Sequence, residues 1–375
     1  MKKLIALLLA LVMVFALVAC AADEVVEETP EEEEVVEEVE EEVEEEVAEA
    51  VDVVAGVFWY DFSDAFLSTV RDALDAELTA AGINFTNYDA ASTQATQNDQ
   101  IDTAISQGAN LLIVNVVDTA AVDAAQAIVD KAAAAEIPVI FFNREVDDAV
   151  LASYEEACFV GTRAAEAGEM QGQMAGEYIR DNYDAIDLNG DGTISYIMMK
   201  GELGNPEAEA RTQFGVEFCN AVLVEAGKPE LAYYDANNAD KFQPSNWSKT
   251  TAFELMETAL STNPMDGDAP IEVVFANNDD AALGCVEALN NAGWNTGEGD
   301  TIPVFGVDYT ADAAAAIDAG KMAGSILQSA TGMAETVAAL AANVQAGKAV
   351  FADAEANFNV DEGTTKIRVP YEIKG

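Results

Sequence analysis

The 375-residue chain contains no histidine. That removes the usual general base near neutral pH and the commonest zinc ligand, so most hydrolytic and metal-hydrolase mechanisms lose their central group. Positive charge is also scarce. Seventeen Lys and Arg face 69 Asp and Glu, a formal net charge of −52. Nucleic acid and anionic membrane surfaces are therefore poor partners, while solubility is favoured. Seventeen of the acids and two of the lysines lie before residue 51, which leaves −37 on residues 51–375. There are four cysteines. Apart from Cys20 near the start they are Cys158, Cys219 and Cys285, an odd set in apolar surroundings that implies no disulfide framework.

The beginning of the chain reads as an export signal. Lys2 and Lys3 precede an apolar stretch, Leu4 to Ala19, that is short of the roughly 20 residues a membrane span needs. Leu17-Val18-Ala19-Cys20 resembles a bacterial lipobox, which makes Cys20 the expected lipid-modified terminus of a mature extracytoplasmic lipoprotein; cleavage without lipid is the alternative. Residues 21–50 are dominated by Glu and hold no basic residue. Val35, Val39, Val43 and Val47 recur every fourth position, but dense like charge opposes a helix. An extended, disordered acidic stalk is expected, with a partner-binding acidic tail as its rival.

From residue 52 onward, short apolar runs alternate with alanine-rich stretches of helical period, the βα pattern of parallel sheets covered on both faces. Strands are expected near 52–59, 83–88, 110–116, 137–142, 194–199, 230–234, 271–276, 302–307 and 322–327. Helices are expected over 64–81, 93–107, 119–135, 163–180, 207–226, 246–261, 278–292, 310–319 and 331–346. About 325 residues exceed one comfortable core, so two lobes are expected. The run from Tyr154 to Thr162 breaks the rhythm and suits a crossover between them. A cleft at the carboxyl ends of both sheets is then the natural binding place.

Residues Asp187-Leu-Asn-Gly-Asp-Gly-Thr-Ile-Ser195 place oxygen-bearing side chains at alternate positions with glycine at the sixth. A loop wrapping a calcium ion needs that pattern. An EF-hand would add a glutamate at the twelfth position, but Met198 stands there, so a remote carboxylate must complete the shell. A solvated Asp/Asn/Gly turn is the plain alternative.

The expected strand-to-helix junctions hold Asp64, Phe66, Asn143, Arg144, Asn205, Glu207, Arg211, Trp247, Asn278, Asp308 and Gln328. A pyranose suits this mixture. Each hydroxyl donates and accepts, planar carboxylate, amide and guanidinium groups hold neighbouring hydroxyls in pairs, and aromatic rings cover the C–H faces. Taken singly, an Asp or Asn at a strand end is usually a helix cap, Phe66 could be core, and Trp247 could pack between lobes. Arg144 reads either as a sugar donor or as a rim ion pair with Glu145 or Asp147.

Several strings carry a family resemblance: Gln97-Asn-Asp-Gln-Ile-Asp102, Pro138-Val-Ile-Phe-Phe-Asn143, Glu207-Ala-Glu-Ala-Arg-Thr212, Ile271-Glu-Val-Val-Phe-Ala-Asn-Asn-Asp279 and Ile302-Pro-Val-Phe-Gly-Val-Asp308. On these the chain resembles the bacterial galactose/glucose-binding proteins over residues 53 to 372. The resemblance implies a type I periplasmic binding protein-like α/β fold, two doubly wound parallel-sheet lobes joined by three crossover segments. Lobe 1 is expected over 51–161 plus 329–366 and lobe 2 over 162–328 plus 367–375. It implies sugar contacts at Asp64, Phe66, Asn143, Arg211, Trp247, Asn278 and Asp308. It also implies a structural calcium held by Asp187, Asn189, Asp191, the Thr193 carbonyl, Ser195 and the remote Glu272. Asn205, Glu207 and Gln328 depart from the family's His, Asp and Asn, which puts sugar preference in question more than sugar binding. Ser195 replaces a longer amide, which would weaken the metal site.

The expected function is a non-enzymatic, monomeric receptor that captures a monosaccharide and delivers it to a membrane ABC importer, with a chemotaxis receptor as a second partner class. A lipid-anchored glycosidase using cleft carboxylates is the enzymatic alternative. A sugar-responsive transcription regulator lacks its basic headpiece here, and a purely structural surface protein would ignore sugars.

Overall fold

The computed structural model describes residues 50–375. The expected signal segment, Cys20 and the stalk up to residue 49 lie outside the described residues. Strands β1 (Val54–Trp59), β2 (Asn84–Asp89), β3 (Leu111–Val114), β4 (Val139–Phe142) and β5 (Ala157–Gly161) join a late strand, β12 (Lys366–Arg368), in a six-stranded parallel sheet. Its order is β12-β5-β4-β3-β1-β2. The second sheet contains β6 (Ser195–Lys200), β7 (Ala232–Tyr233), β8 (Gln243–Pro244), β9 (Val273–Ala276), β10 (Val304–Asp308), β11 (Gly324–Gln328) and β13 (Tyr371–Lys374). Its order is β13-β11-β10-β9-β6-β7, with β8 also beside β6 and only β13 antiparallel.

Helices cover both faces of each sheet because the strands are apolar on both sides. In β1, Val57 and Trp59 enter one core while Phe58 enters the other. The first core receives α1 (Ala65–Ala80) and α10 (Ala330–Gln345); the second receives α2 (Gln94–Ser106) and α3 (Val122–Ala135). Around the other sheet, α5 (Ala164–Ile186) and α6 (Pro206–Glu225) cover one face. The opposite face is covered by α7 (Lys249–Thr262), α8 (Asp279–Asn291) and α9 (Ala311–Asp318). Short α4 (Asp148–Leu151) and α11 (Ala354–Asn357) lie in connections. Cys158, Cys219 and Cys285 are free and buried.

The chain passes between the sheets after Gly161, after Gln328 and after Arg368. The expected lobe division at 366/367 is corrected by β12, which pairs Ile367 with Val160 and Arg368 with Gly161 and so carries both into the first sheet. This strand escapes an apolar-run reading because Lys366 and Arg368 are both buried cations. They are neutralised by one distant and one nearby carboxylate. Glu145 accepts from Lys366 Nζ at 2.8 Å and from Arg368 Nη2 at 2.7 Å, and Asp361 accepts from Arg368 Nε at 2.7 Å. Burial pushes the Glu145 carboxyl up, but the two cations more than offset it and hold it below the usual range.

Candidate functional site

Both sheets reverse strand order next to the strand that comes first in the chain, between β3 and β1 in one and between β9 and β6 in the other. Open α/β sheets present their binding crevices outside the carboxyl ends at such points. The two crevices face each other across a cavity. All eleven junction residues named from the sequence line it, together with Tyr60 and Leu67.

Three of these residues are helix caps and wall groups at once. Asp64 Oδ1 accepts the Leu67 N–H at the start of α1, while Oδ2 accepts the Tyr60 hydroxyl at 2.7 Å. Asn205 caps α6 through Ala208 N and donates its amide to Thr119 Oγ1, across the cleft. Asn278 caps α8 through Ala281 N and donates to the Trp247 carbonyl. The capping bond fixes each side chain, and its remaining lone pairs or N–H groups stay free to serve the cavity. Asn143 sits at φ 61°, and its Oδ1 accepts from Asn115 Nδ2.

Arg211 is buried and splits its fork. Nη1 donates to the Asn277 carbonyl, and Nη2 donates to Gln328 Oε1 and to the Tyr371 hydroxyl. Its guanidinium lies 5.9 Å from the Trp247 ring centroid. Trp247, at φ 65°, lays its ring against Gly201, where an added Cβ would stand 2.5 Å from two ring carbons. Arg144 corrects the rim-pair expectation: its partner is neither Glu145 nor Asp147 but Glu202 on the opposite lobe, with Val117 O as a second acceptor and Tyr60 stacked beneath at 4.3 Å. Sequence inspection missed Tyr60. Its signal was an aromatic residue at the carboxyl end of β1, four residues before Asp64.

Five side-chain atoms on this wall are buried without a protein partner: Arg144 Nε, Glu207 Oε2, Arg211 Nε, Trp247 Nε1 and Gln328 Nε2. Four donate and one accepts. Left unpaired, each costs about 1–3 kcal/mol.

In the 187–195 loop, Gly190 and Gly192 take left-handed φ values of 72° and 86°, which wrap the backbone around the acidic side chains. Asn189 Oδ1 accepts from Asp191 N, Asp191 Oδ1 from Thr193 N, and Asp187 Oδ2 from Gly192 N. Glu272 is fully buried, and its two oxygens accept the N–H groups of Leu188 and Ser195 at 2.7 Å each. Burial raises its carboxyl above the ordinary value, and the backbone bonds pull it back. Asp187 Oδ1 is buried and unpartnered. The donor set is all hard oxygen, as calcium requires. Ser195 differs from the expected side-chain ligand, since its hydroxyl donates to Pro270 O and accepts from Glu272 N. The carboxylates are also loosely gathered: among the described residues no three His, Cys, Asp or Glu side chains stand close enough to hold an ion.

Comparison with known proteins now decides the family. A periplasmic binding protein domain matches residues 22–349. The D-galactose/methyl-galactoside binding periplasmic protein of Haemophilus influenzae is 34% identical over 300 residues, covering 80% of this chain and 83% of that protein. The chain belongs to the periplasmic binding protein family. Among solved structures, the ABC transporter solute binding protein from Bacillus halodurans C-125 with bound myo-inositol aligns with a TM-score of 0.65 at 25% identity, covering 87% of this chain and 95% of that one. A solute binding protein from Clostridium phytofermentans with bound β-D-glucose gives 0.65 at 18% identity over 86% and 93%, which speaks to fold alone. The fold is that of a type I periplasmic binding protein, and this binding protein is not an enzyme; the glycosidase alternative is set aside by these relatives.

Two of the binding protein's cavity acids, Asp308 and Glu207, are protonated more readily than free ones. Burial raises Asp308 well above the usual carboxyl range, with Arg211 opposing. Burial likewise raises Glu207, again against Arg211. Ligand donors directed at these oxygens would replace the hydration they have lost. Geometry also makes Gly201 a packing constraint on Trp247. Gly201→Ala is expected to displace the ring, costing roughly 1–3 kcal/mol of stability and shifting the emission assigned to Trp247 by difference from Trp247→Phe. Unchanged melting and emission would show that the ring is not seated on this glycine.

Proposed function

We propose that this binding protein captures a monosaccharide, a hexose of the glucose or galactose kind, in the interlobe cavity and presents it to a membrane ABC importer. The observation that carries the reading is the set of five unpartnered polar atoms that both lobes direct at one cavity. A ring of hydroxyls both accepts from Arg144, Arg211, Trp247 and Gln328 and donates to Glu207, whereas an apolar ligand would leave every one of these groups unpaired. Phe66 and Trp247 supply apolar area for the ring's C–H face. The relative named for D-galactose and methyl-galactoside supports the hexose class.

Gln328 and Glu207, two departures from the family pattern, each spend one atom on the protein: Gln328 Oε1 on Arg211, Glu207 Oε1 on the Glu145 N–H. Gln328 therefore offers a donor and Glu207 an acceptor, which defines what the ligand must present there. Delivery from a lipid anchor at Cys20 rests on the lipobox-like sequence, and a chemotaxis receptor is a second partner class on the same resemblance.

A structural calcium in the 187–195 loop is part of this reading. Asp187, Asn189, Asp191, the Thr193 carbonyl and Glu272 would hold it, supported by the unpartnered Asp187 oxygen and the buried Glu272 carboxylate. The ion would supply the positive charge that this acidic loop lacks.

Calorimetry of residues 50–375 against D-glucose, D-galactose, D-ribose and myo-inositol is expected to show micromolar or tighter binding, about −8 kcal/mol, for at least one hexose. Asp64→Ala, which removes both the Tyr60 and the α1 contacts, should weaken it by on the order of 100-fold. Heat with none of the sugars, or undiminished affinity in the variant, contradicts the assignment. For the loop, melting in calcium against chelator should show a drop of several degrees for the parent, roughly 1–3 kcal/mol, and none for Glu272→Gln. A parent melting temperature indifferent to both removes the metal.

A further inference from the structure

The junction between β9 and α8 sends two neighbouring side chains in opposite directions. Asn278 lines the cavity. Asp279 turns behind it, fully buried and away from the cavity lining, under the end of β10. There the chain does something costly: Asp308 and Tyr309 are consecutive non-glycine residues at φ 112° and 54°. Each such residue is strained and persists only where its surroundings hold it.

The Asp279 side chain holds both amides that follow. Its Oδ2 accepts the Thr310 N–H at 2.7 Å. Its Oδ1 accepts the Ser325 hydroxyl at 2.6 Å, and Ser325 Oγ in turn accepts the Tyr309 N–H at 3.1 Å. Both residues are fully buried. Access for the carboxylate comes from Gly306, where an added Cβ would stand 2.2 Å from Asp279 Oδ1. Three strands thus converge: Asp279 follows β9, the strained turn ends β10, and Ser325 belongs to β11.

We propose that Asp279 and Ser325 are positioning residues that hold the strained Asp308–Tyr309–Thr310 turn and thereby aim the Asp308 carboxylate into the ligand cavity. Neither touches the ligand. Asp308 lines the cavity beside the buried Arg211, so a turn relaxed to ordinary φ values would swing the carboxylate off the wall. The inference rests on the monosaccharide reading for its affinity readout, but the turn's protection can be measured without any sugar.

The test is a double-mutant cycle with D-glucose and D-galactose as probes, read by calorimetry up to millimolar sugar. Asp279→Asn keeps the shape but can accept only one of the two bonds; Ser325→Ala breaks only the Tyr309 arm. Each is expected to weaken binding by about tenfold in the parent and by less than about twofold in an Asp308→Asn background, since neighbours acting through one group do not add. Hydrogen exchange of the segment holding Tyr309 and Thr310 should accelerate in both variants while α5 and α6 keep their protection. Additive losses in the Asp308→Asn background, unchanged exchange at the turn, or failure of both variants to fold overturns the proposal, because a general packing role would then suffice. If the parent binds neither sugar, the glucose or galactose reading falls and the exchange arm alone decides this one.

Discussion

The wall between the two lobes holds more buried polar groups than the protein can pair. Arg144, Glu207, Arg211, Trp247 and Gln328 each keep one atom without a partner, although the same side chains are tied down by their other atoms. Two separately packed sheets, joined by three strands of chain, supply the rigidity that such a wall needs. The lobes also touch directly: Arg144 reaches Glu202, Asn205 reaches Thr119, and the Glu145 amide reaches Glu207. Each contact joins a cavity-lining side chain to the opposite lobe. Ligand occupancy and lobe approach are therefore properties of one set of side chains, which is how binding to one arrangement selects it.

The hinge takes part in the same network. Arg211 donates to Gln328, where the second crossover begins, and to Tyr371, which begins the last strand. The Tyr371 hydroxyl also shares a 2.6 Å hydrogen bond with Thr162 in the first crossover. Arg368, on the third, donates to the Thr162 carbonyl at 2.6 Å and is neutralised by Glu145, next to the cavity residue Arg144. All three crossings are thus linked by hydrogen bonds to the buried guanidinium that faces the cavity. A ligand held by Arg211 would bear on the parts of the chain that must rotate.

Much of this was legible in the amino-acid sequence, for physical reasons. Apolar runs and alanine-rich helices located most strands, and junction residues with oxygen-bearing tips gathered at one cavity because parallel sheets bring their carboxyl ends together. Asp64, Asn205 and Asn278 cap their helices and also line the cavity, since a cap uses one side-chain atom and leaves the rest. What escaped was long-range. Lys366 and Arg368 are buried in a strand with Glu145, more than 200 residues earlier, accepting from both, and no local pattern reveals that. Arg144 found its partner 58 residues away on the other lobe rather than next to itself. Tyr60 stands one residue past the first expected strand, and its role depends on its bond to Asp64 and its stacking with Arg144.

Small-angle scattering of residues 50–375, with and without saturating D-glucose or D-galactose, tests the coupling between the polar wall and lobe approach most directly. A decrease in radius of gyration with a bound hexose, abolished when Arg211 is replaced by Met, is the predicted result. A protein that binds hexose with no change in its scattering profile would contradict the account.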